Sequence, residues 1–214
     1  IVRGTSRNGT NKNTFQNLEK KIIKKIINII SCDISSSDVV NYITDLKPDY
    51  IFHLAASAYV PYSFDHPLEV NEANTIGTLN ILEACRRLPR LKRVLCTSSS
   101  EVYGTALTHQ IDENHPLNPT SPYAASKAAA DRYSFSYIKT YNMPITIVRP
   151  FNTYGPRHTY DVVPKFIKMA LSNQDITVHG NGKQSRDLTY VSDAVSAFLL
   201  VSEKKQCLKK VINF

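Results

Sequence analysis

The sequence predicts an α/β fold: a parallel sheet covered by helices. Two observations carry this. Short apolar runs alternate with helix-patterned segments, and three of the runs end in small or polar residues. The length of 214 residues fits roughly one to one and a half domains and buries a substantial core without a staple.

Tyr50 to Leu54 reads as a strand, followed by Ala55-Ala56-Ser57. Asn71 to Cys85 reads as a helix, with Ile76, Leu79, Ile81, Leu82 and Cys85 mostly on one face. Arg93 to Cys96 is the next strand, ending in the polar run Thr97 to Glu101. Ser121-Pro122 opens a long helix to about Tyr141, with Ser121 as N-cap and Pro122 at the first helical position. Ile145 to Val148 is a further strand, halted by Arg149-Pro150. In such sheets ligands sit beyond the carboxyl ends of the strands, here Ala55 to Ser57, Thr97 to Glu101 and Pro150 to Asn152. After Pro156 the texture changes. Val162 to Leu171 reads as an amphipathic helix, Ile176 to Val178 as a short strand, and Asp193 to Val201 as a last helix.

Composition narrows the function classes. With 42% apolar and 21% charged residues the chain is an ordinary globular one. No apolar run approaches the roughly 20 residues that span a bilayer. Cys32, Cys85, Cys96 and Cys207 are scattered without a C-x-x-C, which argues against a zinc site and for reduced, buried thiols in a cytoplasmic protein. The formal net charge of +8 has a bland reading. Arg86 to Arg93 interrupts apolar segments as an exposed turn would, and no aromatics interleave it as a nucleic-acid surface would require.

The chemistry concentrates in Tyr123-Ala124-Ala125-Ser126-Lys127. Four residues apart on a helix, Tyr and Lys share a face, and an ammonium beside a phenol favours the phenolate. Alone, such a pair is more often an amphipathic face than a site. Its position, one unit after the Ser-rich strand end, points to a site.

Y-x-x-x-K preceded by Thr97-Ser98-Ser99-Ser100-Glu101-Val102-Tyr103-Gly104 resembles the extended short-chain dehydrogenase/reductases, and more narrowly their nucleotide-sugar epimerase and 4,6-dehydratase branch. Four further segments share the resemblance: Pro48 to Ala56, Asn74 to Ala84, Arg149 to Arg157, and Arg186 to Ala194. It implies a Rossmann-like doubly wound parallel sheet over 1–155. It also implies part of a smaller C-terminal substrate region over 156–214, whose helix at about 191–203 packs back on the first domain. It further implies a homodimer that binds neither nucleic acid nor membrane.

The resemblance assigns roles residue by residue. Ser99, Ser100, Glu101, Tyr123 and Lys127 would be catalytic. Arg7, Asp33, Ile34, Leu54, Ala55, Ala56, Thr97 and Pro150, with Tyr123 and Lys127, would hold the dinucleotide. Asn152, Arg157, Arg186 and Ser99 would hold a nucleotide-diphosphate sugar. Arg3 and Arg7 stand where an NAD-preferring relative carries an acid, which favours NADP over NAD, unless both are solvated loop residues. The family's first turn, G-x-x-G-x-x-G, has no counterpart before Ile1, and Val211 to Phe214 reads as mid-domain, so a fragment is expected, one that would bind cofactor poorly alone.

Glu101 points to dehydration. Once C4 of the sugar is a ketone, the C5 proton is acidic and a carboxylate can remove it while water leaves from C6. Ser100 stands where many dehydratases carry an acid, so a bound water would supply that proton. The alternatives are a 4-epimerase, a decarboxylase or a 4-keto-sugar reductase of the same family, or a non-catalytic Rossmann binding protein. In the blander reading Glu101 faces solvent or pairs with Arg157.

Overall fold

The computed structural model describes residues 2–6 and 27–214, with side chains from residue 30 onward. Arg7 lies outside these residues, as does the side chain of Arg3. Two parallel strands, β1 (Val2–Ser6) and β2 (Ile27–Ser31), pair with Val2 opposite Ile27. A second sheet of four parallel strands has the order β3 (Tyr50–His53), β4 (Arg93–Thr97), β5 (Ile145–Arg149), β8 (Val211–Asn213). A small parallel pair joins β6 (Asn152–Tyr154) to β7 (Leu188–Tyr190).

Helices cover both faces of the four-stranded sheet, so its central strands are apolar on both sides. On one face, Val94 and Cys96 of β4 and Ile145 and Ile147 of β5 pack against helix α1 (Asp38–Leu46) and helix α2 (Gly77–Arg86) through Val39, Ile43, Ile81 and Leu82. On the other, Leu95 and Val148 meet Val201 and Phe198 of helix α5 (Val191–Glu203). Leu82, Val94, Leu95 and Val148 are fully buried, and each such side chain contributes about 1.5–3 kcal/mol. Helix α3 (Pro122–Tyr141) follows the β4 loop, and α4 (Val162–Leu171) lies in the later region. No helix among the described residues is long and apolar enough to cross a membrane.

Two expectations need correction. Ile176 to Val178 form no strand: the segment ahead of the Gly180–Gly182 turn is exposed and finds no ladder partner. Arg93 in the basic cluster is buried rather than solvated. Its guanidinium donates to the Val201 carbonyl at 2.8 Å and the Lys204 carbonyl at 3.2 Å, satisfying acceptors at the C-terminal end of α5. Arg86, Arg87 and Arg90 are exposed, as expected.

Candidate active site

The chemical groups lie on the turn beyond β4 and on the first two turns of α3. Beyond β4 the chain enters a single 3-10 turn, Ser100–Tyr103, capped by Ser99, whose Oγ accepts from the Glu101 N–H at 3.2 Å. Gly104 ends that turn at φ +66°, and a Cβ there would fall 1.9 Å from the Asn118 carbonyl oxygen, so glycine is required. Helix α3 begins as expected: Ser121 Oγ accepts from the Ala124 N–H at 3.1 Å and Pro122 occupies the first turn. Its first turn presents Tyr123 and its second Lys127, both buried.

The Ser99 side chain neighbours the Tyr123 phenol. Burial raises the phenol above the usual value, the Ser99 hydroxyl pulls it back, and the carboxylates of Glu101 and Asp161 push it up. Lys127 does not lean on the phenol: its Nζ donates to the Thr97 carbonyl at 2.5 Å. Burial brings the Lys127 amine down to about 8, against the opposing pull of Cys96 and Asp131. Ser99, Glu101 and Tyr123 thus come together, with Lys127 one turn further along α3 and bonded to the end of β4. Glu101 is exposed, and no ion pair joins it to Arg157 among the described residues.

The remaining expected residues lie past β2, β3, β4 and β5 and around the β6–β7 pair. Leu54 and Ala55 lie exposed past β3, and Ala56 is half-buried. Asp33 Oδ1 accepts from Ser35 through its N–H at 2.9 Å and its hydroxyl at 2.8 Å. Ile34 is buried against Gly77, where a Cβ would come within 2.7 Å of its side chain. Thr97 Oγ1 is buried without a protein partner. Pro150 is half-buried, and its carbonyl accepts from the Ser100 N–H at 3.1 Å. Asn152 Nδ2 donates to the Asp187 carbonyl at 3.1 Å, which brings Arg186 toward the Asn152 end of the small sheet. Arg186 is exposed, and donates to the carbonyl of its neighbour Ser185 at 2.8 Å; Arg157 is exposed with φ 71°.

Residues that sequence reasoning passed over hold the site in shape. Asn74 lies in a one-turn π-helix, Glu72–Ile76, the kind of bulge that often marks functional sites. Its amide donates to Ser126 Oγ at 2.9 Å and to the Ser57 carbonyl at 3.1 Å, while its oxygen accepts from the Ser57 N–H at 2.7 Å. One side chain therefore ties the loop after β3 to the catalytic helix, between Tyr123 and Lys127. His53 ends β3 fully enclosed, with Nε2 2.9 Å from Thr78 Oγ1. The Thr78 hydroxyl donates to the Asn74 carbonyl at 2.6 Å, so Nε2 carries the proton and His53 is neutral. Burial lowers its pKa to about 3, with the Lys127 charge adding to the effect.

Comparison with known proteins agrees with this geometry. The model of the NAD dependent epimerase/dehydratase family matches residues 2–213. The human dTDP-D-glucose 4,6-dehydratase is 38% identical over 194 residues, covering 89% of this chain and 55% of that protein. The Dictyostelium discoideum protein of the same name is 39% identical over 170 residues, covering 74% of this chain and 39% of that one. The chain thus spans about half the length of the curated relatives it matches. A UDP-glucuronic acid 4-epimerase from Bacillus cereus, solved with UDP-glucuronic acid and NAD, superposes with TM-score 0.87 at 29% identity, covering 99% of this chain and 68% of that one. A UDP-N-acetylglucosamine 4-epimerase from Methanobrevibacter ruminantium gives TM-score 0.82 at 31% identity, covering 100% of this chain and 75% of that one. With a parallel sheet wound on both faces, a Tyr-x-x-x-Lys helix on its strand-end loops, and a family match running nearly end to end, the chain belongs to the NAD dependent epimerase/dehydratase family.

Proposed function

We propose that the protein is a nucleotide-sugar 4,6-dehydratase using NAD or NADP. The observation that carries this is the placement of Glu101: a carboxylate on the turn capped by Ser99, whose side chain neighbours the Tyr123 phenol. Epimerisation at C4 needs Ser99, Tyr123 and Lys127 but gives a second base nothing to do. Dehydration needs one, at C5.

The residues at the strand ends fit a dinucleotide. Leu54, Ala55 and Ala56 leave backbone accessible past β3, Thr97 Oγ1 lacks a protein partner, and Lys127 stands beside the Thr97 carbonyl. These residues with Asp33, Ile34 and Pro150 would hold it, and when bound it accepts a hydride from the sugar and returns it. Arg7, supported by Arg3, would read a 2′-phosphate, which makes NADP the preferred form.

The chain's own groups do the rest. Tyr123 takes the C4 hydroxyl proton as the base, with Ser99 donating to the same oxygen as it becomes a ketone. Lys127 supplies the positive charge that lowers the energy of the phenolate when substrate and cofactor have excluded water. Glu101 removes the acidified C5 proton, and a water beside Ser100 protonates the hydroxyl leaving C6. Asn152, Arg157 and Arg186 would bind the diphosphate sugar, the two guanidinium forks suiting phosphate oxygens. In this reading residues 1–155 form the dinucleotide domain and 156–214 the substrate region, and the protein works as a cytoplasmic homodimer.

A second reading, a 4-epimerase, is favoured by Ser100, which cannot act as the acid that dehydratases use at that position, and by the 36% identity over 175 residues to a UDP-glucose 4-epimerase of Mycolicibacterium smegmatis. The products separate them. Incubation of the full-length protein with dTDP-glucose or UDP-glucose is expected to yield a 4-keto-6-deoxy sugar lighter by one water. A product of unchanged mass with C4 inverted would support the epimerase instead.

A further inference from the structure

Glu101 stands on a single 3-10 turn, an element too short to hold a geometry by itself. What fixes it lies two residues on. At three residues per turn, Tyr103 faces away from Glu101, into the protein, where it is fully buried. Its hydroxyl accepts from Arg149 Nη1 at 2.7 Å and donates to Asn213 Oδ1 at 2.7 Å. The Arg149 guanidinium also lies 4.9 Å from the centre of the Tyr103 ring. Arg149, 1% exposed at the end of β5, makes a two-pronged pair with Asp131: Nε to Oδ2 at 2.8 Å and Nη2 to Oδ1 at 3.0 Å. Asp131 follows Lys127 by four residues on α3, the helix that carries Tyr123.

A continuous line of hydrogen bonds therefore joins the Glu101 turn to the Tyr123 helix: Tyr103, Arg149, Asp131. It runs through a buried ion pair, and such pairs add little net stability over apolar replacements of the same shape. The two elements it joins carry the two bases that must act on adjacent carbons of one sugar.

We propose that Arg149, acting through Tyr103, is a positioning residue that holds the Glu101 carboxylate in register with Tyr123 for removal of the C5 proton. This rests on the dehydratase reading. It makes elimination, not C4 oxidation, the step sensitive to the clamp, because the Tyr123 helix is anchored independently by the Ser121 cap and Asn74, and the chain just before Ser99 by the Ser98 N–H to the Val148 carbonyl at 2.7 Å.

Tyr103→Phe tests it, since the ring and its contact with Arg149 remain while both hydroxyl bonds are lost. Single-turnover quenching of the full-length protein with a nucleotide-diphosphate glucose follows the 4-keto-hexose and the dehydrated product separately. Elimination is expected to fall about 10–100-fold, as a misplaced base should. Formation of the 4-ketone should change less than about threefold. A parallel fall in both steps, or no fall in either, would overturn the clamp. A second measurement is independent of turnover. Hydrogen exchange at the Val102 and Gly104 amides, bonded to the Ser99 and Glu101 carbonyls, should quicken at least about tenfold in the variant, as local opening of the turn becomes easier, with the Ala124 amide unchanged. Unchanged exchange at 102 and 104, or quickening throughout, would count against it. A wild-type protein that never eliminates water would sink the dehydratase reading, and the exchange data would still decide the clamp.

Discussion

The ammonium of Lys127 donates to the carbonyl of Thr97 at 2.5 Å, deep in the protein, one helical turn beyond Tyr123. The amine is held where water cannot solvate it, which brings its pKa from 10.5 down to about 8. A buried amine with a depressed pKa costs stability whenever it is charged. The unfolded chain binds this proton up to about pH 10.5 and the folded chain only to about 8, so wild-type stability should rise with pH between those values. Lys127→Met is expected to be about 1–3 kcal/mol more stable than wild type at pH 7 and to show no such rise, while losing activity. Equal pH dependence of the two proteins in denaturant titrations would contradict the placement of this charge.

His53 works in the same direction at lower pH. Its folded pKa of about 3 lies below the ordinary 6.5, so the stability that its neutral form contributes is complete above pH 6.5 and is lost as the pH falls toward 3. His53→Gln, which keeps a donor toward Thr78, should flatten the acid limb of the stability profile across that window. A variant whose profile tracks wild type would show that His53 does not titrate on unfolding.

Arg149 and Asp131 are both almost fully buried; removing Asp131 leaves the guanidinium without a carboxylate, and removing Arg149 leaves Asp131 only its half-exposed neighbour Arg132. Arg149→Leu should destabilise by about 3–5 kcal/mol, and adding Asp131→Leu should recover a large part of that. Additive losses in the double-mutant cycle would mean that the two side chains do not depend on each other.

Gly104→Ala should disrupt the turn that carries Glu101, since both φ +66° and the 1.9 Å approach to the Asn118 oxygen exclude a methyl group. The expected loss is about 1–3 kcal/mol with impaired elimination, whereas Gly180→Ala, at φ +68° but with nothing within 4 Å, should cost stability without touching catalysis. Similar effects on activity from both would remove the special role of Gly104.

The fold was readable because a parallel sheet prints short apolar runs at its strands and polar breaks at their carboxyl ends. Helix α3 was readable from Ser121-Pro122, and its candidate site face from the i, i+4 spacing of Tyr123 and Lys127. What escaped is long-range. Asn74 meets Ser126 across 52 residues, and Tyr103 meets Arg149 across 46, and no local period records either bond. Arg93 looked solvated within a basic run because its neighbours are, yet its strand position turns it inward to the end of α5. The π turn at Glu72–Ile76 continues the apolar pattern of a helix, so only the backbone reveals it. Helical spacing placed Lys127 on the Tyr123 face of the helix but gave no sign of its bond to the Thr97 carbonyl, which is tertiary.

The central claim is that Glu101 makes this site a dehydratase. Solvent deuterium incorporation at C5 tests it most directly, with the full-length protein and a nucleotide-diphosphate glucose in heavy water. Wild type should place deuterium at C5 of a 4-keto-6-deoxy product. Glu101→Gln should still form the 4-ketone while C5 exchange falls by about 10²–10⁴-fold, the worth of a general base. A wild-type protein that inverts C4 and returns the C5 hydrogen unexchanged would contradict the account.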